Sequence, residues 1–318
     1  MRFALIDEEK SHHPVSRICR VLGVTPAGYY AQKKRPPCNR MLEDERLKGR
    51  IVAYFEASHG NYGVPRIFKD FRADGIAISR KRIARLMREL GIAGVSGREG
   101  RHRGRKTATF ETDRAADLVR RDFTSDEPNK VWFADITYVP TWEGWLFLAV
   151  IIDACTKRIV GWSMRDDLKA DIVVDALGMA TTMRKPKAGL IHHSDRGAQY
   201  RSLAFGRTLR DSGILASMGS VGAPGDNAVT ESVMATIKKE CVHRHTFKTR
   251  DSARFAIFRY IEGFYNPHRR HSSIGDLSPA EFERRLDERR LQAVASHRQQ
   301  VSTKNGATPT PLAVRIVA

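Results

Sequence analysis

The second half of the chain switches between two periodicities, and this switch constrains the fold more than any other feature. Three apolar, aromatic-rich runs with a two-residue period follow one another from residue 129: KVWFADITYVPT, GWLFLAVIIDA and RIVGWSM. Short turn-like segments join them, so consecutive antiparallel pairing is the economical arrangement. We therefore predict three antiparallel strands at the start of this region.

After the third run the pattern alternates between helical and strand periods. ADIVVDALGMATTM is helical, GLIHHSD a short buried strand, SLAFGRTLRDSG helical, ILASM a strand, and GDNAVTESVMATIKKE helical. This order predicts an α/β fold with a mixed five-stranded sheet flanked by helices. It is the order found in ribonuclease-H-like folds, in which the first and fourth strands are neighbours.

The residues before this sheet show helical periodicity instead. In VSRICRVLGVTPAGYY, Thr25 stands as an N-cap before Pro26, which predicts two short helices at helix-turn-helix spacing. Between residues 42 and 92, amphipathic segments predict three more helices, the third of which begins after Ser79. We expect small all-α helix-turn-helix regions to precede the sheet.

The charge balance favours a polyanionic partner. The chain has 55 Lys and Arg against 36 Asp and Glu, a formal net charge of +19. Such a surplus attracts nucleic acid. In the helix after Ser79, the side chains of Lys81, Arg85 and Arg88 recur on one face, separate from the apolar stripe. A basic stripe of this kind suits major-groove or phosphate contact, although a solvated face would show the same spacing.

The cysteines and the apolar segments argue against several other classes. The four cysteines lie far apart without a C-x-x-C pair, which disfavours a zinc ribbon and a disulfide framework. No apolar run reaches about 18 residues, and acidic residues stand where a signal peptide has its apolar segment. No G-x-x-x-x-G-K-[ST] loop occurs, which disfavours an ATP-driven activity. We expect a soluble, cytoplasmic protein.

Composition marks the boundaries between these parts. The segment GVSGREGRHRGRKTATF is rich in Gly, Arg and Lys without apolar periodicity, which is typical of a basic linker. We predict a short helix-turn-helix-like segment, a helical DNA-binding domain, a basic linker, a catalytic core with C-terminal helices, and a disordered tail. Their ranges are 1–40, 41–95, 96–125, 126–290 and 291–318, respectively.

Three carboxylates stand where the predicted sheet and its last helix would bring them together. Asp135 lies within the first strand, where an ionised side chain is costly to bury unless it is paired or binds a cation. Asp195 follows the fourth strand, so it would meet Asp135 across neighbouring strands. Glu231 shares a helix face with Lys238, separate from the apolar stripe. Three oxygen donors with incomplete coordination suit Mg²⁺, and two such ions could activate the attacking oxygen and stabilise the leaving one.

Other polar residues near these carboxylates are interpreted as structural groups and not as metal ligands. Asp153 ends the second strand and is interpreted as a structural group. Either Asp226 or Asn227 is interpreted as a helix cap. His192 and His193 precede the fourth-strand carboxylate, and packed or hydrogen-bonded histidines are expected there, because oxygen-only sites do not favour imidazole.

Further residues are candidates for contact with DNA. Gln199 and Tyr200 follow the fourth strand. They could contact DNA or serve only the fold, and the sequence favours neither interpretation. In YNPHRRH, Arg269 and Arg270 could hold phosphate or be solvated, and we favour phosphate. Lys238 could meet a DNA phosphate beside the carboxylates.

Six motifs together resemble one family. VWFADITYVPT, GWLFLAVIID, IVGWSM, GLIHHSDRGAQY, GDNAVTESVMATIKKE and YIEGFYNPHRRHSSIGDLSPAEF resemble the second-frame protein (OrfB) of two-frame bacterial insertion sequences. These proteins are transposases with a retroviral-integrase-like DDE core, and the similarity covers nearly all of residues 1–290. The family's Asp, Asp and Glu, the last two separated by 35 residues, fall on Asp135, Asp195 and Glu231. Lys238 matches the family's basic position.

The resemblance implies DNA cleavage at the element's terminal inverted repeats, followed by attack of the freed 3′-hydroxyl on another phosphodiester. It implies Asp135 and Asp195 as bridging ligands of two Mg²⁺ ions, Glu231 as a ligand of the second, and Mn²⁺ as a substitute metal. It also implies a homo-oligomer on terminal and target DNA, associated with the bacterial nucleoid. Transposases of this family are commonly fused by frameshift to an upstream-frame protein (OrfA) that supplies a helix-turn-helix and a leucine zipper. The resemblance therefore implies OrfA, separate or fused, as a partner, and no heptad repeat is visible in this chain.

Two alternatives remain open on sequence grounds. A DNA-binding regulator, or a decayed transposase with an inert core, would keep the same three carboxylates. A metal-dependent nuclease would cut DNA without strand transfer. Joining of two specific ends in one product distinguishes a transposase from such a nuclease.

Overall fold

The computed structural model describes residues 2–95, 117–119, 125–219 and 228–304. Most of the predicted basic linker lies outside these ranges, as does the end of the predicted tail. The predicted caps Asp226 and Asn227 also lie outside the described residues.

The front of the chain is helical, as its periodicity predicts. Its helices are α1 (Arg2–Glu9), α2 (Val15–Val21), α3 (Pro26–Lys34), α4 (Asn39–Ala57), α5 (Val64–Ala73) and α6 (Arg80–Glu89). Both predicted N-caps are present: Thr25 Oγ1 accepts a hydrogen bond of 3.0 Å from the Gly28 N–H, and Ser79 Oγ accepts one of 3.2 Å from the Arg82 N–H. Helix α1 is a further element that the sequence pattern did not indicate. It packs through Ile6 on α2 and α3.

The five strands form the predicted mixed sheet. They are β1 (Val131–Thr141), β2 (Gly144–Asp153), β3 (Ile159–Arg165), β4 (Ile191–Ser194) and β5 (Leu215–Met218). Their spatial order is β3-β2-β1-β4-β5. The β1/β2 and β2/β3 pairs are antiparallel, and the β1/β4 and β4/β5 pairs are parallel. The first and fourth strands are therefore neighbours, and the ribonuclease-H-like arrangement is confirmed.

Helices cover both faces of the sheet. Their bounds are α7 (Asp171–Arg184), α8 (Leu203–Asp211), α9 (Ala228–Glu240), α10 (Arg250–Tyr260) and α11 (Pro279–Lys304). Helix α7 packs on β2 and β3, and α9 and α10 pack on β1. The core on the α7 side contains Trp132, Leu177 and Phe205, and the core on the other side contains Val150 and Ile257. The sheet thus separates two hydrophobic layers.

Helices α4, α5 and α6 belong to the second of these layers. Ile51, Phe71 and Ile83, one from each helix, are fully buried in the same cluster as Val150 of β2 and Ile237 of α9. Burial of apolar surface therefore holds the three helices against the sheet, in addition to the chain connection. The predicted helical domain and the predicted catalytic core share one hydrophobic cluster.

Helix α11 continues beyond the point where the sequence pattern predicts a disordered tail. It runs to Lys304, so residues 291–304 are helical and correct that prediction for this stretch. The physical reason is local: the segment is rich in good helix formers and contains neither Gly nor Pro. In the part of the chain that the structure describes, no helix is both long and apolar enough to cross a membrane.

Candidate active site

Asp135 lies in the middle of β1, on the side of the sheet that faces α9. Its partner across the antiparallel ladder is Val150, which belongs to the hydrophobic cluster shared with α9. The carboxylate is half-buried, and its Oδ1 accepts a hydrogen bond of 2.8 Å from the N–H of Ile136. An ionised carboxylate can accept several hydrogen bonds, so this single backbone donor offsets only part of the free-energy cost of burying it.

Asp195 stands directly after β4 and is exposed. The β1/β4 register pairs Phe133 with His193, and its continuation by two residues beyond the paired part of the ladder would set Asp195 next to Asp135. Its Oδ1 accepts a hydrogen bond of 3.0 Å from the N–H of Gly197. The parallel pairing that the sequence pattern predicts is therefore what brings these two carboxylates to one edge of the sheet.

Glu231 occupies the first turn of α9 and points to solvent. Val233 and Ile237 of the same helix are buried, so they fix which face of α9 turns toward the sheet. A carboxylate in the first turn is stabilised by the positive end of the helix dipole. Lys238, near the other end of α9, places its Nζ 5.1 Å from the centre of the Tyr138 ring on β1.

The charges of the neighbouring carboxylates act on Asp135. Burial raises the pKa of Asp135 to about 7, and the negative charges of Asp195 and Glu231 act in the same direction. The N–H of Ile136 and the positive charge of Lys238 oppose the shift. A cation placed beside Asp135 would favour its ionised form.

The donor chemistry of this group fits a hard divalent cation. All three side chains offer carboxylate oxygens, the ligands that Mg²⁺ prefers. Within residues 2–95, 117–119, 125–219 and 228–304, no group of three or more His, Cys, Asp or Glu side chains is close enough to hold a metal ion. Among these described residues, Asp135, Asp195 and Glu231 therefore do not form a ready-made metal-binding cluster, although the charges of Asp195 and Glu231 reach Asp135.

Asp153 has the structural role that its position at the end of β2 predicts. The side chain is fully buried, and its Oδ1 accepts hydrogen bonds from the Cys155 N–H (3.1 Å), the Thr156 N–H (2.9 Å) and the Thr156 hydroxyl (3.0 Å). Its Oδ2 accepts a bond of 2.6 Å from the N–H of Asn129. Oδ1 therefore closes the turn after β2, and Oδ2 ties the end of β2 to the segment that precedes β1.

The two histidines before Asp195 are packed side chains, as predicted. His193 Nδ1 lies 2.9 Å from the Ser217 hydroxyl on β5. The His192 ring lies 5.2 Å from the Phe205 ring, and burial lowers the pKa of His192 to about 4. Near neutral pH His192 is therefore uncharged.

The structure corrects the predicted DNA contact at Tyr200. The ring is only 4% exposed and packs against Phe205 in the core beneath the carboxylates, so it cannot reach a DNA surface. The sequence shows an aromatic residue near Asp195 but not the direction in which it points. Gln199 is half-buried and donates a hydrogen bond of 3.0 Å to the Leu168 carbonyl, and its contact with DNA stays a prediction.

Arg269 and Arg270 also have partners inside the protein instead of the predicted phosphates. Arg269 is 5% exposed and donates two hydrogen bonds of 2.7 Å to the carboxylate of Glu240. Arg270 donates one of 2.6 Å to Asp70 on α5. Both side chains tie parts of the fold together. Local sequence could not show this, because each partner carboxylate lies far away along the chain.

The basic stripe of α6 divides into two groups. Arg85 donates hydrogen bonds to Asp44 (2.7 Å) and Glu89 (2.6 Å), which neutralise its charge locally. Lys81 and Arg88 are exposed, and neither joins an ion pair among the described residues. Lys81 and Arg88 therefore remain predicted phosphate contacts, and the geometry makes Arg85 a weaker one.

The helical front of the chain and the sheet-containing part each match known protein families. An integrase core domain family matches residues 125–224, a second integrase core domain family matches residues 212–279, and an HTH-like domain family matches residues 42–100. The first two matches cover the sheet, the three carboxylates and the helices that follow. The third covers α4, α5 and α6.

Individual relatives are similar over most of the chain. The chain is 35% identical over 288 residues to a transposase for insertion sequence element IS629 of Shigella sonnei, which covers 88% of this chain and 95% of that protein. It is 39% identical over 265 residues to an uncharacterized 31 kDa protein of insertion element IS600 of Shigella sonnei, covering 83% and 97%. It is 34% identical over 285 residues to transposase InsF for insertion sequence IS3A of Escherichia coli strain K12, covering 89% and 98%.

The fold and these matches define a DNA transposase with an integrase-type core, a class of polynucleotidyl transferase. The chain belongs to the IS3 family of insertion-sequence transposases.

Proposed function

We propose that this chain cuts DNA at the ends of its insertion sequence and joins the freed 3′-hydroxyl to another phosphodiester, using a two-metal site formed by Asp135, Asp195 and Glu231. The observation that carries the proposal is the integrase-type sheet, in which Asp135 lies on β1 and Asp195 directly follows the neighbouring β4, in a chain 35% identical to a transposase for an insertion sequence. A site of this kind is poised to accept divalent cations. Mg²⁺ fits the all-oxygen donor set, and Mn²⁺ would substitute for it.

The residues differ in how rigidly they are held. Asp135 is fixed within a strand paired on both sides, and Asp195 follows directly from one of those partners. Both are therefore suited to bridge the two metals. Glu231 is presented by α9, whose buried face sets its orientation. Bound Mg²⁺ would supply activation of the attacking oxygen and stabilisation of the leaving one.

DNA would be held by basic side chains around this centre. Lys238 lies close enough to Asp135 to affect its pKa, so it can meet the phosphate next to the reacting one. Lys81 and Arg88 on α6 offer unpaired charges for a more distant part of the duplex, and Gln199 is a further contact. The net charge of +19 and the HTH-like match support DNA as the ligand.

Assembly follows from the reaction itself. Two element ends must be brought together with a target, so we propose that copies of the chain act as a homo-oligomer on DNA. The names of the relatives, transposases of insertion sequences, support terminal repeats and target DNA as the substrates. An upstream-frame OrfA protein, separate or fused, is the proposed protein partner.

Cleavage and joining of a labelled duplex that carries the element's own end test the proposal. We expect joined product with Mg²⁺ and none with the metal chelated. Asp135→Asn, Asp195→Asn and Glu231→Gln should each abolish the joined product while leaving duplex binding intact. Asp251→Asn, which changes an exposed carboxylate on α10, is the matched control and should retain activity.

Each other outcome has a definite meaning. Cut DNA without joined product would identify a nuclease and contradict the transfer step. Binding without chemistry, in this chain and also in its fusion to OrfA, would identify an inert core. Full activity in any one of the three variants would remove that residue from the site.

A further inference from the structure

Three aromatic side chains at the tip of the β1–β2 hairpin are exposed to solvent. The exposed fractions are 57% for Tyr138, 70% for Trp142 and 51% for Trp145. The rings of Tyr138 and Trp145 meet edge to face, with centroids 5.0 Å apart. Single exposed apolar residues are common, but a group of large aromatic side chains on one surface marks a binding site. We refer to these three residues as the aromatic platform.

Two lysines lie over the same surface. Lys238 Nζ is 5.1 Å from the centre of the Tyr138 ring, and Lys248 Nζ is 5.6 Å from the centre of the Trp142 ring. Neither lysine joins an ion pair in the ranges that the structure describes. The platform therefore combines flat aromatic faces with positive charges that join no ion pair among the described residues. Proteins that bind single-stranded nucleic acid use this combination, because bases stack on the rings and phosphates meet the charges.

The backbone of the hairpin tip is anchored before any ligand binds. The backbone N–H of Trp142 donates a hydrogen bond of 3.1 Å to the Phe247 carbonyl. Arg250, at the start of α10, donates from Nε to the Trp145 carbonyl (3.1 Å) and from its backbone N–H to Glu143 Oε2 (2.8 Å). A fixed surface loses less conformational freedom on binding than a mobile one.

The platform adjoins the candidate active site. Tyr138 follows Asp135 by three residues on β1, about 10 Å along the strand, so the alternation of side chains turns it to the opposite face of the sheet. Lys238 lies between the two groups, because it contacts the Tyr138 ring and also affects the pKa of Asp135. A strand whose phosphate lies at the carboxylates would therefore pass Lys238 and turn around the edge of β1 to bring its neighbouring nucleotides onto the rings.

We propose that the aromatic platform stacks unpaired bases of the DNA strand whose phosphate is at the active site. Bases inside a duplex cover one another's faces, so a stacking surface selects bases that are unpaired or turned out of the helix. The ligand is thus a DNA end with opened base pairs rather than an intact duplex. This inference rests on the proposed function for its biological setting, but binding to the platform requires no catalysis.

Binding of a twelve-residue oligothymidylate and of a blunt duplex of the same length, measured by fluorescence anisotropy on the full chain, tests the platform. We expect Trp142→Ala together with Trp145→Ala to weaken oligothymidylate binding by about tenfold or more, with duplex affinity unchanged. Replacement of both by Phe should restore most of the affinity. Phe255→Ala, at an exposed aromatic of α10, is the matched control and should leave both affinities unchanged.

Two further measurements keep the result interpretable. Thermal unfolding should give the same Tm for the double Ala variant as for the unchanged chain, because both side chains are exposed. Tryptophan fluorescence of the unchanged chain should be quenched by oligothymidylate, and this quenching should be lost in the double Phe variant.

Three results would overturn the proposal. Equal loss of affinity for the oligothymidylate and the duplex would show a general electrostatic effect. Unchanged affinity for both ligands would show that the rings do not bind bases. Unchanged affinity with altered sedimentation would assign the surface to contact between copies of the chain. Glu231→Gln should still bind the oligothymidylate, so failure of catalysis and failure of the platform are separate results.

Discussion

Arg269 and Glu240 form a buried bidentate ion pair, with two hydrogen bonds of 2.7 Å between guanidinium and carboxylate. Glu240 is the last residue of α9, the helix that carries Glu231 in its first turn. The carboxylate also accepts a hydrogen bond of 2.9 Å from the Tyr260 hydroxyl and one of 3.2 Å from Arg66 on α5. This network therefore joins α9, the helix of Glu231, to α5 in the HTH-like region.

Removing one partner of this pair should destabilise the fold. Arg269→Met leaves the Glu240 carboxylate buried without its main counter-charge, and the free energy of unfolding should fall by about 3–5 kcal/mol. Urea unfolding measures the change. Arg254→Ala, which breaks an exposed pair with Asp251, is the control and should cost about 0–1 kcal/mol. A loss for Arg269→Met no larger than that of the control would contradict the structural role of the pair.

The same pair predicts how stability depends on pH. Burial alone would raise the pKa of Glu240, but the Arg269 guanidinium and its hydrogen bonds hold it below the ordinary value of 4.5. The contribution to stability is thus present above pH 4.5 and is lost as the pH falls through the lower pKa of the folded state. Glu240→Gln should flatten the acid limb of the stability curve. Parallel acid limbs for the two proteins would be inconsistent with this linkage.

Charge on α6 should control the salt dependence of duplex binding. Arg88→Ala removes an exposed, unpaired charge, so the slope of log affinity against log salt should become shallower by about 0.9, the value for one phosphate contact. Arg85→Ala is a matched comparison on the same helix, and its effect should be smaller because Arg85 is engaged by Asp44 and Glu89. Equal slopes for Arg88→Ala and the unchanged chain would remove this helix face from the DNA interface.

Close packing of β3 on α7 should make Gly161 intolerant of a side chain. A Cβ at Gly161 would lie 2.3 Å from the Ala176 carbonyl oxygen and 2.8 Å from the Ala180 Cβ. Gly161→Ala should therefore lower the free energy of unfolding by about 1–3 kcal/mol. Gly178→Ala, on α7 with open space around it, should instead stabilise by about 0.5–1 kcal/mol. Thermal unfolding of both variants measures these changes. A Gly161→Ala protein as stable as the unchanged chain would contradict the close contact.

Local signals in the sequence predict much of the fold. The two-residue period of β1, β2 and β3 and the hydroxyl caps Thr25 and Ser79 depend only on nearby residues, and all are present in the structure. The neighbouring positions of β1 and β4 follow from the order of the elements. The proximity of Asp135 and Asp195 could therefore be anticipated before any coordinates were known.

Contacts between distant residues could not be predicted in this way. The partner of Arg270 is Asp70, 200 residues away, and no local pattern connects them. Tyr200 is a predicted DNA contact, yet its ring lies in the core, because the sequence does not show the direction in which a side chain points. The exposure of Trp145 is not predicted either, since aromatic residues in a strand pattern are commonly half-buried.

Anomalous diffraction from crystals soaked in Mn²⁺ tests the central claim most directly, because it locates divalent metal independently of activity. The account predicts anomalous peaks in contact with carboxylate oxygens of Asp135 and Asp195, one of them shared with Glu231, and loss of that peak in Glu231→Gln. Crystals without a peak among these three carboxylates, or with metal bound only elsewhere on the chain, would contradict the proposed two-metal site.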